Sequence, residues 1–112
     1  MIPKDKNRDK KIEEIVKKAA TRFLLEEAGN NSLITVTHVE VSPKAEYATI
    51  FITVFPALKE KEAIDFAKRK RSEFKEYVRN ETRLQRIPFF DFHIDIGEKN
   101  RQNIESISQT LN

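Results

Sequence analysis

The sequence predicts a small α+β domain whose elements follow the order α-β-β-α-β-α. Apolar residues recur at helical spacing near the start of the chain. They then alternate with polar residues in three short segments, and they return to helical spacing between and after those segments. A length of 112 residues suits one domain. Hydrophobic residues at 38%, with eight Phe among them, are sufficient for one modest core.

The first helix is predicted to begin at Asp9. Residues 1–8 carry no apolar pattern and are expected to form a flexible basic arm, whereas residues 9–112 are expected to form a single domain. Gly29-Asn30-Asn31 is predicted to end the helix, because Gly and Asn tolerate the left-handed backbone conformation of a C-cap. Six apolar residues share one face of this helix: Ile12, Ile15, Val16, Ala19, Phe23 and Leu24.

Two strands are predicted next, with a turn at residues 42–46 between them. The first strand, Leu33 to Val41, alternates, but its phase slips halfway. We therefore expect a β-bulge near Thr37-His38 that turns both halves of the strand toward the core. The second strand, Tyr47 to Phe55, alternates without a slip. Its core face is predicted to consist of Ala48, Ile50, Ile52 and Val54.

A long helix is predicted from Glu60 to Arg83, since this stretch contains no Gly or Pro. Its unbroken helical repeat predicts only a mild bend at Lys70–Ser72. A third strand follows Pro88 and is expected to end at Gly97, with an apolar face made by Phe90, Phe92, Ile94 and Ile96. A short final helix is expected to carry three apolar residues on one face, namely Ile104, Ile107 and Leu111.

Composition removes several classes of chemistry. The chain contains no Cys, so disulfides and thiolate metal sites are excluded. With only Gly29 and Gly97, it cannot build a glycine-rich phosphate loop. We therefore expect a protein without a cofactor, a small-molecule substrate or catalytic activity. The start of the sequence has no apolar run, which predicts a cytoplasmic protein without a signal peptide or membrane partner.

One constellation could support metal binding or acid–base chemistry. Asp91, His93 and Asp95 alternate on the third strand, so their side chains are expected to point to the same face. The same pattern arises on any solvated strand face, and we favour that interpretation. A small metal-dependent enzyme that uses these three residues is a less favoured hypothesis. His38 is expected to be an ordinary surface histidine.

Positive charge is concentrated in two segments. Residues 1–18 have a net charge of +3 and residues 68–86 a net charge of +5, whereas residues 19–67 and 87–112 are net negative. Such concentration favours a polyanionic partner.

The second basic segment contains a regular pattern, which we call the basic stripe. Its six cations are separated by three or four residues, and a continuous helix would align them along one side. Such a row fits the phosphates of an RNA backbone, and we favour RNA binding over a merely solvated face. Ala67, Phe74, Tyr77 and Val78 would pack on the sheet. The basic stripe consists of Lys68, Arg71, Lys75, Arg79, Arg83 and Arg86.

Two long segments resemble a known family. Leu33–Pro43 (LITVTHVEVSP) followed by Tyr47–Val54 (YATIFITV) closely resembles the central signature of bacterial ribosome-binding factor A. Downstream, Arg83-Leu84, Pro88 and the stretch ending at Asp95 resemble the family's Arg-Leu, Pro and Phe-x-x-Asp pattern. The resemblance spans Ile12 to Leu111. It implies a type II KH-like fold, α-β-β-α-(kink)-α-β with a C-terminal helix, in which the helices lie on one face of a three-stranded sheet.

The resemblance also implies a function. The family consists of non-enzymatic factors that bind the small (30S) ribosomal subunit or its precursor, assist 16S rRNA maturation and support growth in the cold. We expect a monomer with the basic stripe and Ser72 as RNA contacts. Lys70-Arg71-Ser72 stands where the family has an Ala-x-Gly kink. The alternative is a protein-binding adaptor that uses the terminal helix or the sheet face around Phe51, where base stacking is a minor further possibility.

Overall fold

The structure is a computed structural model that describes residues 3–29 and 32–111, with side chains described at 9–29, 32–102 and 104. Within the described residues, the fold consists of four helices and three strands, together with short 3₁₀ turns at Pro43–Ala45 and Ala57–Lys59. In chain order the elements are α1 (Pro3–Glu27), β1 (Leu33–Val41), β2 (Tyr47–Phe55), α2 (Glu60–Arg69), α3 (Arg71–Glu81), β3 (Phe89–Ile94) and α4 (Ile96–Leu111). The predicted α+β fold is confirmed, and α2 and α3 are separated at the position where the family resemblance implies a kink.

The sheet has the strand order β1-β2-β3, with β1 antiparallel and β3 parallel to the central strand. The predicted bulge is confirmed, because Val36 pairs with Ile52 whereas His38 pairs with Phe51, the very next partner. The extra residue, Thr37, restores the phase, so that Val36 and Val39 are both buried.

The core lies between the sheet and the first three helices. Phe74 is fully buried, and its ring centroid lies 4.7 Å from that of Phe90, 5.2 Å from that of Phe23 and 5.9 Å from that of Phe92. The predicted core face of β2 is buried throughout. Sheet, α1 and α3 are therefore joined through one aromatic cluster, which fixes the position of the cations on α3.

The first helix begins earlier than predicted and ends at the predicted C-cap. The helix begins at Pro3 rather than at Asp9, so residues 3–8 form its first turns. Pro is favourable in the first helical turn, and no Gly interrupts the stretch that follows. At the other end Gly29 has a φ of +71°, as the predicted C-cap requires. The Asn30-Asn31 part of that prediction lies outside the described residues.

The transition from β3 to α4 was predicted incorrectly. The strand ends at Ile94, and Gly97 lies in the first turn of the helix instead of breaking a strand. Asp95 explains the early start, because its Oδ1 accepts the backbone N–H of Glu98 at 3.0 Å, as in an N-cap. Ile104 is 63% exposed, and the side chains of Ile107 and Leu111 lie outside the described residues.

The predicted continuous helix from Glu60 to Arg83 is also wrong. It ends at Arg69 and restarts at Arg71, and Lys70 between them has φ −93° and ψ 6°. The Lys70 N–H is shared between two carbonyls, those of Phe66 and Ala67, at 3.1 Å each. The break lets α2 pack against β2 and β3 while α3 packs against α1 and β3.

None of the helices, as far as the structure describes them, is long and apolar enough to cross a membrane.

Candidate nucleic-acid interface

The first two members of the basic stripe are held by a carboxylate. Lys68 Nζ lies 2.8 Å and Arg71 Nη1 3.1 Å from Asp91 Oδ1. Lys68 lies in the last turn of α2, and Arg71 is the first residue of α3. Asp91 lies on the edge strand β3, so the ion pairs connect the two helices to the sheet edge. These two cations therefore fasten the helix break to the sheet and are partly neutralised.

The chemistry of Asp91 reflects this role. Partial burial alone would raise the pKa of its carboxyl. The hydrogen bond from Lys68, the backbone N–H of Phe92 and the charge of Lys68 outweigh that effect, and they lower the pKa to about 2. Asp91 is therefore ionised at neutral pH and remains an attractive partner for both cations.

The middle of the basic stripe lies on α3. Ser72 is exposed, and Arg79 is exposed but paired with Glu76 one turn earlier. Lys75 is half-buried, and within the described part of the chain it has no ion pair. A surface pair such as Arg79–Glu76 contributes only about 0–1 kcal/mol, so a phosphate can displace it.

The last two members are not on a helix. α3 ends at Glu81, and Thr82 is extended with φ −129° and ψ 173°. Arg83 and Arg86 follow in the loop toward β3, and both are exposed without an ion pair among the described residues. The single straight cationic face predicted from spacing is therefore wrong. The six cations are divided between a helix end, a second helix and a loop.

The three residues predicted to share one face of the third strand, Asp91, His93 and Asp95, do not form one site. Asp91 binds Lys68, Arg71 and the ring of His93, with His93 Nε2 at 3.1 Å. Asp95 instead lies 3.3 Å from His38 Nδ1 and accepts a hydrogen bond from the Thr37 hydroxyl. The hydrogen bond from Thr37 is the main reason why the pKa of the Asp95 carboxyl is lowered. Among the described residues, no three His, Asp or Glu side chains are grouped so that they could hold a metal ion.

The outer face of the sheet carries a ring ladder that sequence reasoning missed. The rings of His38 and Phe51 are stacked at 4.5 Å and 9°, and His93 lies 6.2 Å beyond Phe51. One face of Phe51 is thereby covered, and the neighbouring Glu40 and Asp91 are acidic. This arrangement disfavours RNA stacking on Phe51. The predicted bulge could have placed His38 opposite Phe51. The position of His93 beside Phe51 depends on the register between β2 and β3, which the sequence does not reveal.

The fold and this surface together define a class: a KH-like α+β domain that displays cations on both sides of a helix break. The model of the family described as ribosome-binding factor A matches residues 8–108. The chain belongs to this ribosome-binding family.

Curated relatives agree with that assignment. Ribosome-binding factor A of Kosmotoga olearia is 26% identical over 104 residues, covering 92% of this chain and 83% of that protein. The factor of Fervidobacterium nodosum is 30% identical over 79% of this chain and 75% of its own length, and that of Flavobacterium johnsoniae is 32% identical over 80% and 73%.

Solved structures show the same fold. The crystal structure of ribosome-binding factor A from Thermus thermophilus superposes with a TM-score of 0.67 at 18% identity, covering 77% of this chain and 94% of that one. A solution structure of a Thermotoga maritima protein gives a TM-score of 0.57 at 19% identity, covering 83% of this chain and 88% of that one.

Proposed function

We propose that this protein binds the small ribosomal subunit or its precursor and assists maturation of 16S rRNA. The observation that carries the proposal is that three cations of the basic stripe, Lys75, Arg83 and Arg86, have no ion pair within the described residues of a chain of this family. RNA phosphates would bind them and also compete with Glu76 for Arg79. Lys68, Arg71 and Ser72 complete the proposed RNA-binding set.

In this proposal the protein acts as a monomer in the cytoplasm, without a cofactor and without catalysis, and supports growth in the cold. Its contribution is then positional. A rigid α3, anchored by Phe74 and Val78 in the core, holds cations at fixed spacing against folded RNA, so binding favours one rRNA arrangement over others.

Co-sedimentation with purified small subunits tests the proposal. We expect the protein to sediment with precursor particles at low salt and to be released as salt rises from about 50 to 200 mM, because several phosphate contacts are lost together. Large subunits are the matched control. Equal sedimentation with both subunits, or none with either, would contradict the proposal.

A protein-binding adaptor is the second candidate, and a different surface favours it. Leu25, Leu33 and Phe55 are 78%, 64% and 71% exposed around a shallow apolar groove of about 390 Å³ at one end of the sheet. Exposed apolar patches of this kind often mark protein interfaces. Binding through this patch would change little with salt, whereas binding through the basic stripe would fall steeply.

A further inference from the structure

A second cationic surface, which shares only Arg83 with the basic stripe, lies between the first helix and the end of α3. We call it the α1–α3 groove, and its volume is about 370 Å³, within the range of small-ligand sites. Ile15, Ala19 and the ring of Tyr77 give it an apolar floor. The floor is held in place by the core, because Ala19 is buried and the ring centroid of Tyr77 lies 5.3 Å from that of Phe23.

The rim of the α1–α3 groove is predominantly positive. Lys18, Arg22 and Arg83 line it, together with the Glu81 carboxylate, and the charge of Glu26 also acts on Tyr77. Lys18 and Arg83 are exposed and have no ion pair within the described residues. An apolar floor beneath two uncommitted cations is complementary to a flat ring that carries a phosphate. It is less suited to an acidic peptide, which offers charge without a flat apolar partner.

Local structure holds the rim in place. The Thr82 hydroxyl donates to the Val78 carbonyl at 2.7 Å and accepts the backbone N–H of Leu84 at 3.2 Å. The backbone on both sides of Arg83 is thereby fixed as α3 ends. Burial raises the pKa of Tyr77, Glu26 adds to this effect and Arg22 opposes it, so the phenol stays neutral and can donate a hydrogen bond.

We infer that the α1–α3 groove binds one unpaired nucleotide of single-stranded RNA, with the base on the floor beside Tyr77 and its phosphate between Lys18 and Arg83. Unpaired bases are commonly recognised by stacking on aromatic side chains, while cations hold the adjoining backbone. The inference rests on the proposed function, because it identifies where an RNA-binding factor of this family would engage a loop or bulge. Duplex RNA, whose bases stay stacked, would bind only through its phosphates.

A titration of the isotopically labelled protein tests the inference directly. We expect hexauridylate to shift the backbone amide signals of Lys18, Tyr77 and Thr82, with Lys61 on α2 unaffected. A duplex RNA of equal charge and a hexaglutamate peptide are the matched ligands. If either one shifts the same signals as strongly as hexauridylate, the groove is a general anion site and the inference is overturned. An absence of shifts with hexauridylate overturns it as well.

Charge-neutral variants test the same point by affinity. Lys18→Gln with Arg83→Gln should weaken hexauridylate binding about tenfold or more, as expected for lost charged hydrogen bonds. The control, Lys44→Gln with Lys61→Gln, removes equal charge outside the groove and should bind as the wild type does. Circular dichroism should show both variants folded, since all four side chains are exposed.

The two proposals fail separately. If the groove variant binds hexauridylate as the wild type does, the nucleotide site is overturned, even when sedimentation with small subunits persists. If hexauridylate binds in the groove but the wild-type protein does not sediment with small subunits, the proposed function fails and the site in the groove stands.

Discussion

Asp91 determines how much of the basic stripe is available to a partner. It forms ion pairs with both Lys68 and Arg71, so the two members of the basic stripe nearest the helix break stabilise the fold and are less available to RNA. The spacing of the basic residues could be read from the sequence, but this competition could not. A carboxylate distant in sequence was brought to the same edge only by the parallel pairing of β3 with β2.

A pH titration of stability tests the role of Asp91. Its folded-state pKa is about 2, below the ordinary value of 3.8, so its contribution is complete above about pH 4 and is lost as the pH falls toward 2. Asp91→Asn should therefore lower the free energy of unfolding by about 1 kcal/mol at pH 6, a value reduced for solvent screening of a partly exposed pair. Urea unfolding at pH 6 and at pH 2 measures the difference, which should be much smaller at the lower pH, where the folded-state carboxyl is about half protonated and the unfolded one almost fully protonated. A difference that is equal at both would contradict the assignment.

At the scale of elements, the period-two pattern predicted β1 and β2 correctly, whereas it extended β3 too far and helix continuity was wrongly predicted. β1 and β2 occupy the predicted ranges because alternation and burial select the same residues. The break at Lys70 has no Gly or Pro to announce it. Lys70 Nζ instead lies 3.5 Å from Glu27 and 3.2 Å from Glu73, which ties the break to the end of α1. Tertiary packing overrides helix propensity here.

The start of α4 offers a test at the same scale. Asp95 caps the helix through the Glu98 N–H and also accepts the Thr37 hydroxyl from the β-bulge, so one carboxylate joins two elements. Asp95→Ala should lower the free energy of unfolding by about 1–2 kcal/mol, the range for loss of an N-cap. Asp65→Ala is the control, since Asp65 makes only a surface pair with Lys61. Chemical denaturation measures both, and equal effects would exclude a special role for Asp95.

At the scale of the whole molecule, the basic stripe and the apolar patch around Leu25, Leu33 and Phe55 occupy different parts of the surface. The described chain measures 48 × 34 × 17 Å along its principal axes, so the sheet and the helices form a flat domain. Most of the described cations without an ion pair lie along α1, α3 and the loop after it, whereas the exposed Leu25, Leu33 and Phe55 lie at one end of the sheet. Net charge by segment predicted the first of these surfaces. The second depends on which strand ends meet, which required the fold. The division into a flexible arm at 1–8 and one domain at 9–112 stays a prediction.

The last prediction concerns the central cations of the basic stripe. Reversal of Lys75 and Arg79 to Glu should weaken binding to small subunits and flatten its salt dependence, because each lost phosphate contact removes about 0.7–0.9 units of slope. Stability should change by no more than about 0.5 kcal/mol per site, since neither side chain belongs to the core. Sedimentation across a salt series measures the slope, and urea unfolding measures the stability.

Two further variants make that result specific. Lys44→Glu with Lys61→Glu applies the same charge change outside the basic stripe and should leave the slope nearly intact. Phe74→Ala, at a fully buried ring, should lower the free energy of unfolding by about 3–5 kcal/mol and reduce binding only in proportion to the unfolded fraction. Suppose that the Lys75 and Arg79 variant stays folded and keeps both its affinity and its salt slope. The basic stripe is then a solvated face, and the apolar patch at the end of the sheet becomes the better candidate for partner binding.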